Sequence, residues 1–391
     1  MILGEIPGLA LDRTGVALLG AIGVVAIGNV PIVRAWSAVD MPTLFLLFGM
    51  MVISAQFRLA GFYTRAVRQL VNIEVSPPVL LGLVVGLVGL LSAVLTNDVV
   101  CLAMTPVLVE GCARRKLDPL PFLLALACAS NVGSAATLIG NPQNILVGQA
   151  LHLSFGGYLL DAGVPAVLGL GATWGVIAIQ FRGRWQRESE VPRIEAPPFN
   201  RWQSIKGVSV VVTLILTFLF FHDVPREGVA LVCTGVLLLS RRMASREMMA
   251  LVDWQLLVLF AGLFIVNDAF QRTGAMDDAI HLLRARGVDA SRPATLFGLS
   301  ALLSNVVSNV PATMLLLPNA THPLGGAILG LSSTLAGNLF IVGSIANIIV
   351  VSAARPLGVA IGFRAHLRTG VPVTLVTLAI AAAWLALRPS P

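Results

Sequence analysis

Apolar residues run for a helix length or more at many points along the chain, as from Val79 to Leu95, Val208 to Phe221 and Thr374 to Leu387. A bilayer-spanning helix needs about 20 such residues. The short alternating segments of a transmembrane barrel, about 10 residues each, do not match these unalternating runs. Apolar spans read at 15–33, 41–57, 120–150, 158–181, 204–222, 226–242, 252–271, 324–354 and 370–388, which predicts nine crossings. Two further stretches, 77–112 and 293–322, are interrupted midway by Thr96-Asn97-Asp98 and by Ser308-Asn309. Each reads as one kinked crossing plus another helix, or as a helical hairpin that enters the membrane and turns back. The spans 120–150 and 324–354 are too long for one straight crossing, and Gly, Pro and Asn break both. The fold class expected is an all-α polytopic membrane protein.

The two halves of the chain match without gaps over long stretches. Val39-Asp40, Phe57 and Gly61 repeat as Val252-Asp253, Phe270 and Gly274 at an offset of 213. Leu90-Leu91-Ser92, Thr96-Asn97 and Pro106 repeat as Leu302-Leu303-Ser304, Ser308-Asn309 and Pro318 at 212, and Gly140 and Asn144 as Gly343 and Asn347 at 203. The domains expected are a first repeat at 1–181, holding a cytoplasmic-side hairpin 77–112 and a broken helix 120–150, and a second at 223–391, holding a hairpin 293–322 and a broken helix 324–354. Between them, 182–222 comprises a polar linker with Pro192, Pro197 and Pro198 and one unpaired helix. An odd helix between two equal repeats inverts the second, the architecture of many secondary transporters. Arg58 to Val75 and Gly274 to Ser291 mix apolar and charged residues at helical spacing, which predicts interfacial helices beside the hairpins.

Composition narrows the class further. The 391 residues are 57% hydrophobic and 12% charged, with a mean hydropathy of +0.88. Soluble domains carry about 25% charged residues, so a water-soluble enzyme is excluded. The net charge of +7 sits in short gaps between apolar runs, where headgroups favour it, and this argues against a nucleic-acid partner. With both hairpins in place, Arg13, Arg58, Arg65, Arg68, Arg114, Arg115, Lys116, the six basic residues from Arg182 to Lys206, Arg241, Arg242, Arg246, Arg355, Arg364 and Arg368 fall on one side. That is 19 of 26, and it places the N-terminus in the cytoplasm of a prokaryotic inner membrane. Glu5 and Asp12 ahead of the first run do not resemble the basic start of a signal peptide, so that run reads as a retained helix. Four scattered cysteines predict neither disulfides nor a zinc site.

Non-helical backbone at membrane depth is tolerated only inside protein or beside a water-filled cavity. The hairpin tips therefore come first as a binding site: Thr96, Asn97, Ser308 and Asn309, able to cap the helices that follow and to aim backbone N–H groups at an anion. The broken spans supply Asn131, Thr137, Gly140, Asn141 and Asn144 from one half and Thr334, Asn338, Gly343, Ser344 and Asn347 from the other. Asparagine is costly in lipid without partners. Thr96, Asn97, Asn131, Thr137, Asn144, Ser308, Asn309, Thr334, Asn338 and Asn347 are expected to hold substrate, and Asp98, Asn97, Gly140, Asn141, Gly343 and Ser344 a coupling proton or Na⁺. Asp98 reads as the only carboxylate deep in a central apolar stretch, with Val310 as its repeat partner; an intramembrane carboxylate marks a proton carrier or cation ligand. Asp268 with Arg272 reads as an interfacial i,i+4 pair, and Asp40 and Asp253 as caps. No H-E-x-x-H, G-x-S-x-G or paired carboxylates suggest an enzyme, and no cofactor is expected beyond the coupling ion.

Leu95-Thr96-Asn97-Asp98 with Thr105-Pro106, Asn131-x-Gly133 with Thr137-x-Ile139-Gly140-x-Pro142-x-Asn144, and Ser308-Asn309-Val310-Pro311 resemble the ion transporter superfamily. It includes arsenite permeases, NhaD-type sodium/proton antiporters, citrate transporters and divalent-anion/sodium symporters. The resemblance covers nearly the whole chain and is nearest to the arsenite permeases. It implies an elevator-type transporter with its site at the midplane, often a homodimer. The function expected is secondary transport of a small inorganic or organic anion, an arsenite-like oxyanion first, coupled to H⁺ or Na⁺. The alternative is a Na⁺/H⁺ antiporter.

Overall fold

A computed structural model describes residues 11–388 except 29, 189, 192, 193, 195, 196 and 222. Glu5, and Pro192 and Arg193 of the linker, lie outside the described residues. The first repeat runs α1 (Arg13–Ala26), α2 (Ile32–Ser37), α3 (Met41–Leu59), α4 (Phe62–Val71), α5 (Pro77–Val94), α6 (Asn97–Arg114), α7 (Pro119–Ser134), α8 (Pro142–Ala150) and α9 (Phe155–Gln180). After α10 (Arg201–Phe220), the second runs α11 (Arg226–Leu238), α12 (Ser245–Ala250), α13 (Trp254–Arg272), α14 (Ala275–Ala285), α15 (Pro293–Val307), α16 (Asn309–Leu316), α17 (Gly325–Ala336), α18 (Ile345–Ala354) and α19 (Phe363–Leu387). The fold is all-α, an inverted repeat with two re-entrant hairpins and two broken helices.

Local chemistry sets the element starts. Asp40 and Asp253, a repeat pair, each accept from the backbone N–H three residues on, at Thr43 and Leu256, as N-caps do. Helices form in both stretches expected to be interfacial: α4 buries Tyr63, Val67 and Val71 on one stripe, and α14 occupies the matching place in the second repeat. The first predicted span does not form as one helix. It ends at Ala26, and α2 resumes only after Pro31, whose ring has no N–H to give a continuing helix. Among the described residues six helices, α3, α5, α9, α10, α13 and α19, are long and apolar enough to cross a membrane. α6 equals α5 in length but carries Asp98, Glu110 and Arg114; the other helices are shorter.

Both interrupted stretches are hairpins. Leu95 and Thr96 are extended between α5 and α6, and Arg115 just past α6 donates to the carbonyls of Val71, Ile73 and Val75 just before α5, at 3.0, 2.9 and 2.7 Å. The hairpin thus leaves on the side where it enters. In the second, Pro293 and Phe297 at the start of α15 line one cavity with His322 and Leu324 beyond α16.

Repeats exchange partners. α1 packs on α13 and α11 on α3, with Gly262 against the backbone of Ala17 and Gly49 against Ala230. Both contacts recur at the 213-residue offset. The long helices α9 and α19 pack on each other and turn Leu160, Val167, Ile179, Leu375 and Leu387 outward, the apolar face a bilayer requires. The central half-helices differ. All of α7 except Leu120, and all of α17, is buried in protein.

Glu110 is a second carboxylate of the first hairpin, buried at its exit end rather than at its tip. Its side chain on α6 is 5% exposed and pairs with Arg68 at 3.1 Å and Arg114 at 2.5 Å. The sequence pattern hid it because Arg114, one helical turn on, lies just outside the apolar run. Asp268 and Arg272 form the expected pair at 2.9 Å.

Candidate functional site

The two broken helices place their gaps beside the two hairpin tips. In the first repeat the chain leaves α7 at Ser134 and re-enters α8 at Pro142. Asn141 caps α8, its Oδ1 accepting from the Asn144 N–H at 2.9 Å. Asn144 in turn donates across the gap to the carbonyls of Thr137 at 2.9 Å and Ser134 at 3.2 Å. Its counterpart Asn347 does the same, donating to Phe340 at 3.1 Å and Gly337 at 2.9 Å. Each asparagine thus satisfies carbonyls that the break has freed, the requirement that buried backbone polar groups be paired. Gly140 fits this gap because a side chain there would meet the Ser134 carbonyl oxygen at 2.4 Å.

Asn131, 2% exposed, joins the halves. Its Nδ2 donates to Asn338 Oδ1 at 2.8 Å and to Asn347 Oδ1 at 3.2 Å. Its Oδ1 accepts from Asn97 Nδ2 at 3.2 Å and Ser344 Oγ at 2.9 Å. The inverted contact exists as well: Asn141 Nδ2 and Gln143 Nε2 donate to Thr334 Oγ1 at 3.3 and 3.0 Å. Thr334 stands to Asn131, and Ser344 to Asn141, at the 203-residue offset. His366 on α19 closes the network with its Nε2 3.1 Å from the Asn338 carbonyl.

The hairpin tips do not cap their helices as the sequence predicted. Neither Thr96 nor Ser308 makes a side-chain cap bond. Thr96 Oγ1 instead donates to Ser54 Oγ at 3.0 Å, and the Asn97 side chain turns to Asn131. Ser308 Oγ accepts from Arg13 at 3.4 Å, and Ser308 holds a φ of 80°, a conformation costly outside glycine. The Asn97 N–H donates to the Gly140 carbonyl at 3.2 Å, and the Asn309 side chain, its amide oriented to satisfy both carbonyls, donates to those of Ser333 and Gly343, each at 3.2 Å. Each tip is therefore tied to the gap of the broken helix in its own repeat.

Between the tips lies a cavity of about 40 Å³, room for a few waters or one small ion at about 10–15 Å³ per water. Asn97, Asp98, Asn131, Ser308, Asn309 and Ser344 line it with Arg13 and Gln143. Six of the residues expected at the site thus line one cavity. Thr96, Thr137, Gly140, Asn141, Asn144, Thr334, Asn338, Gly343 and Asn347 stand behind it, buttressing the wall. Among the described residues, Asp98 enters no ion pair or hydrogen bond, and Arg13 is the only other charged group lining the cavity.

Arg13, Gln143 and Asn305 escaped the sequence reading. The sequence pattern places Arg13 at the membrane surface, yet its Nη2 donates to the Val342 carbonyl at 2.9 Å beside the second tip. A signal existed: Arg13-Thr14-Gly15-Val16-Ala17-Leu18 recurs as Arg226-Glu227-Gly228-Val229-Ala230-Leu231 at the 213-residue offset. Asn305, donating to Ala336 O at 3.1 Å, has alanine at its repeat position and carries no such mark.

Two helical hairpins meeting two broken helices around a polar, charge-bearing cavity define a membrane transporter. The chain belongs to the citrate transporter family, which it matches over residues 1–328. It is 31% identical to an uncharacterized transporter of Mycobacterium tuberculosis, over 97% of this chain and 94% of that one. A silicon efflux transporter of Oryza sativa is 28% identical over 96% and 93%, and a putative transporter arsB of Dictyostelium discoideum 23% over 95% and 87%. Among solved structures, the YdaH transporter of Alcanivorax borkumensis shares the fold with a TM-score of 0.59 and 16% identity, over 96% of this chain and 89% of that one.

Proposed function

We propose that the protein is a secondary active transporter of a small oxyacid or its anion, an arsenite-like species first, coupled to H⁺ or Na⁺ through Asp98. The observation that carries this reading is the cavity in which Asp98 and Arg13 face one space amid amide and hydroxyl groups from both repeats. One positive and one negative charge leave it close to neutral. Such a cavity suits an uncharged or singly charged oxygen-rich solute, whereas a divalent anion meets the Asp98 carboxylate unless a proton or cation offsets it. The relative named for silicon efflux supports an oxyacid as cargo.

Asn97, Asn131, Ser308 and Asn309 hold the cargo in this reading, and Thr96, Thr137, Asn144, Thr334, Asn338 and Asn347 keep them in place. Asp98 carries the coupling proton, or shares a Na⁺ with the Asn97 amide oxygen and the Ser344 hydroxyl at the cavity, with Gly140, Asn141 and Gly343 holding the gaps behind them in shape. The hairpins and broken helices move as one body past the remaining helices, an elevator, and the polytopic chain sits in a prokaryotic plasma membrane with its N-terminus cytoplasmic, as a homodimer. A buried Asn97 Oδ1 with no donor beside Asp98 favours one alternative, Na⁺/H⁺ antiport at the same place.

Internal pH in proteoliposomes tests the reading as arsenite, antimonite, phosphate, succinate, citrate, Na⁺ and Li⁺ are added in turn. The expected result is a pH or Na⁺-dependent response to an oxyacid. A response to Na⁺ or Li⁺ alone promotes the antiporter, and silence to every addition sinks both.

A further inference from the structure

The repeated Arg-x-Gly-Val-Ala-Leu makes Arg13 and Arg226 structural equivalents, and the packing agrees, since Ala17 and Ala230 meet Gly262 and Gly49 in matching contacts. Their surroundings nevertheless differ. Arg13 sits at the second hairpin tip and at the entry to α18, through Ser308 Oγ and the Val342 carbonyl. Arg226 sits at the far end of α8, donating to the carbonyls of Gly148, at 3.3 Å, and Leu153. Arg13 lines the small central cavity, whereas Arg226 lines a separate space of about 480 Å³ with Asp40, His152 and Asp223. A symmetric pair held asymmetrically marks one of two interchangeable conformations, because in an inverted repeat the opposite-facing state exchanges the arrangements of the halves.

We infer that the site draws its cation from the two repeats in turn: from Arg13 in the conformation described here, and from Arg226 in the opposite-facing one. This rests on the transport reading above. By the repeat offsets, Arg226 then contacts Thr96 Oγ1 and the Ile139 carbonyl, while Arg13 withdraws to the carbonyls of Val351 and Pro356. Each arginine passes nine residues along its broken helix, from Gly148 back to Ile139 or from Val342 on to Val351. The helical part alone, from Pro142 to Gly148, rises about 9 Å at 1.5 Å per residue, and the residues of the break add to that. The carbonyl ends of α8 and α18 hold each guanidinium when it is away from the cavity, as helix C-termini hold cations. A positive charge therefore stands at the cavity whichever way it faces, balancing Asp98 in both states.

Two cysteine pairs test this in the full chain in liposomes: Arg13→Cys with Ser308→Cys, and Arg226→Cys with Thr96→Cys. The reagent is a bifunctional thiol cross-linker of arginine side-chain length; the four native cysteines are buried. Both pairs are expected to cross-link, and with all four cysteines in one chain closure of either pair is expected to block the other. Failure of the Arg226–Thr96 pair, or closure of both pairs in one molecule, overturns the inference. In flux assays with arsenite, R13Q and R226Q are each expected to lose more than tenfold, with R13K and R226K retaining part. An R226Q protein as active as wild type also overturns it. Cross-linking needs no cargo, so alternating cross-links in a protein that moves no oxyacid would refute the proposed cargo and leave the alternation standing. Oxyacid flux with cross-links that do not alternate would do the reverse.

Discussion

Asn131 and Asn338 meet side chain to side chain at 2.8 Å, one from the end of α7 and the other just past α17. The pair brings the two repeats into direct contact at the edge of the cavity, and four further polar groups converge on Asn131 and Asn338 from α6, α18, α19 and the gap before α18. A buried amide with its donors and acceptors all engaged fixes one geometry.

Asn131→Ala removes a donor and an acceptor from that cluster and strands the Asn338 and Asn347 oxygens. A buried polar group left without a partner costs about 1–3 kcal/mol. Thermal unfolding of the purified protein in detergent is expected to show a loss of that order, with flux reduced more than tenfold. An unchanged melting temperature would show that Asn131 is not the joint between the repeats.

Asp98→Asn separates coupling from architecture. Its carboxylate has no partner among the described residues, so the neutral amide is expected to leave thermal stability equal or higher while abolishing ion-coupled flux in proteoliposomes. Lower stability with coupling intact would assign Asp98 a structural role instead.

Gly133→Ala tests the closeness of α5 and α7. A Cβ at Gly133 would lie 2.3 Å from the Gly89 carbonyl oxygen and 2.4 Å from its Cα, and backbone cannot swing away as a side chain can. Overpacking of this kind costs about 1–3 kcal/mol, occasionally more. Size-exclusion profiles are expected to show a poorly folded or aggregated protein; a well-folded variant of wild-type stability would mean the two helices can part freely.

Glu110→Gln breaks the α4–α6 pairing while keeping the side chain's shape. Arg68 and Arg114 are 41% and 56% exposed and can turn to solvent, so the loss is expected to be small, about 1 kcal/mol or less, as for solvent-screened pairs. A loss several times larger, read by thermal melting in low salt, would mean that the arginines stay buried without their partner.

The fold was legible where the bilayer dictates composition. Long apolar runs, their polar interruptions and the constant offsets are enough to give the hairpins, the broken helices and the inversion. The site was legible in part, because Asn and Ser at membrane depth stand out against lipid. Which of them faces the cavity and which stands behind it was not, since Asn97 and Asn144 look alike in sequence and differ only in the direction of their amides. Arg13 escaped for a different reason. A basic residue just ahead of an apolar run reads as a headgroup contact, and only the packing of α1 on α13 carries it to the second tip. Glu110 was hidden likewise by the arginines of its own helix and its neighbour.

Asn131 also imposes an order on how the chain is made. Asn338, Ser344 and Asn347, three of its four side-chain partners, leave the ribosome some two hundred residues after it, and α7 has almost no face of its own to offer to lipid. The first half must therefore wait in the membrane with its centre unfinished, and only the arrival of the last third of the protein completes it.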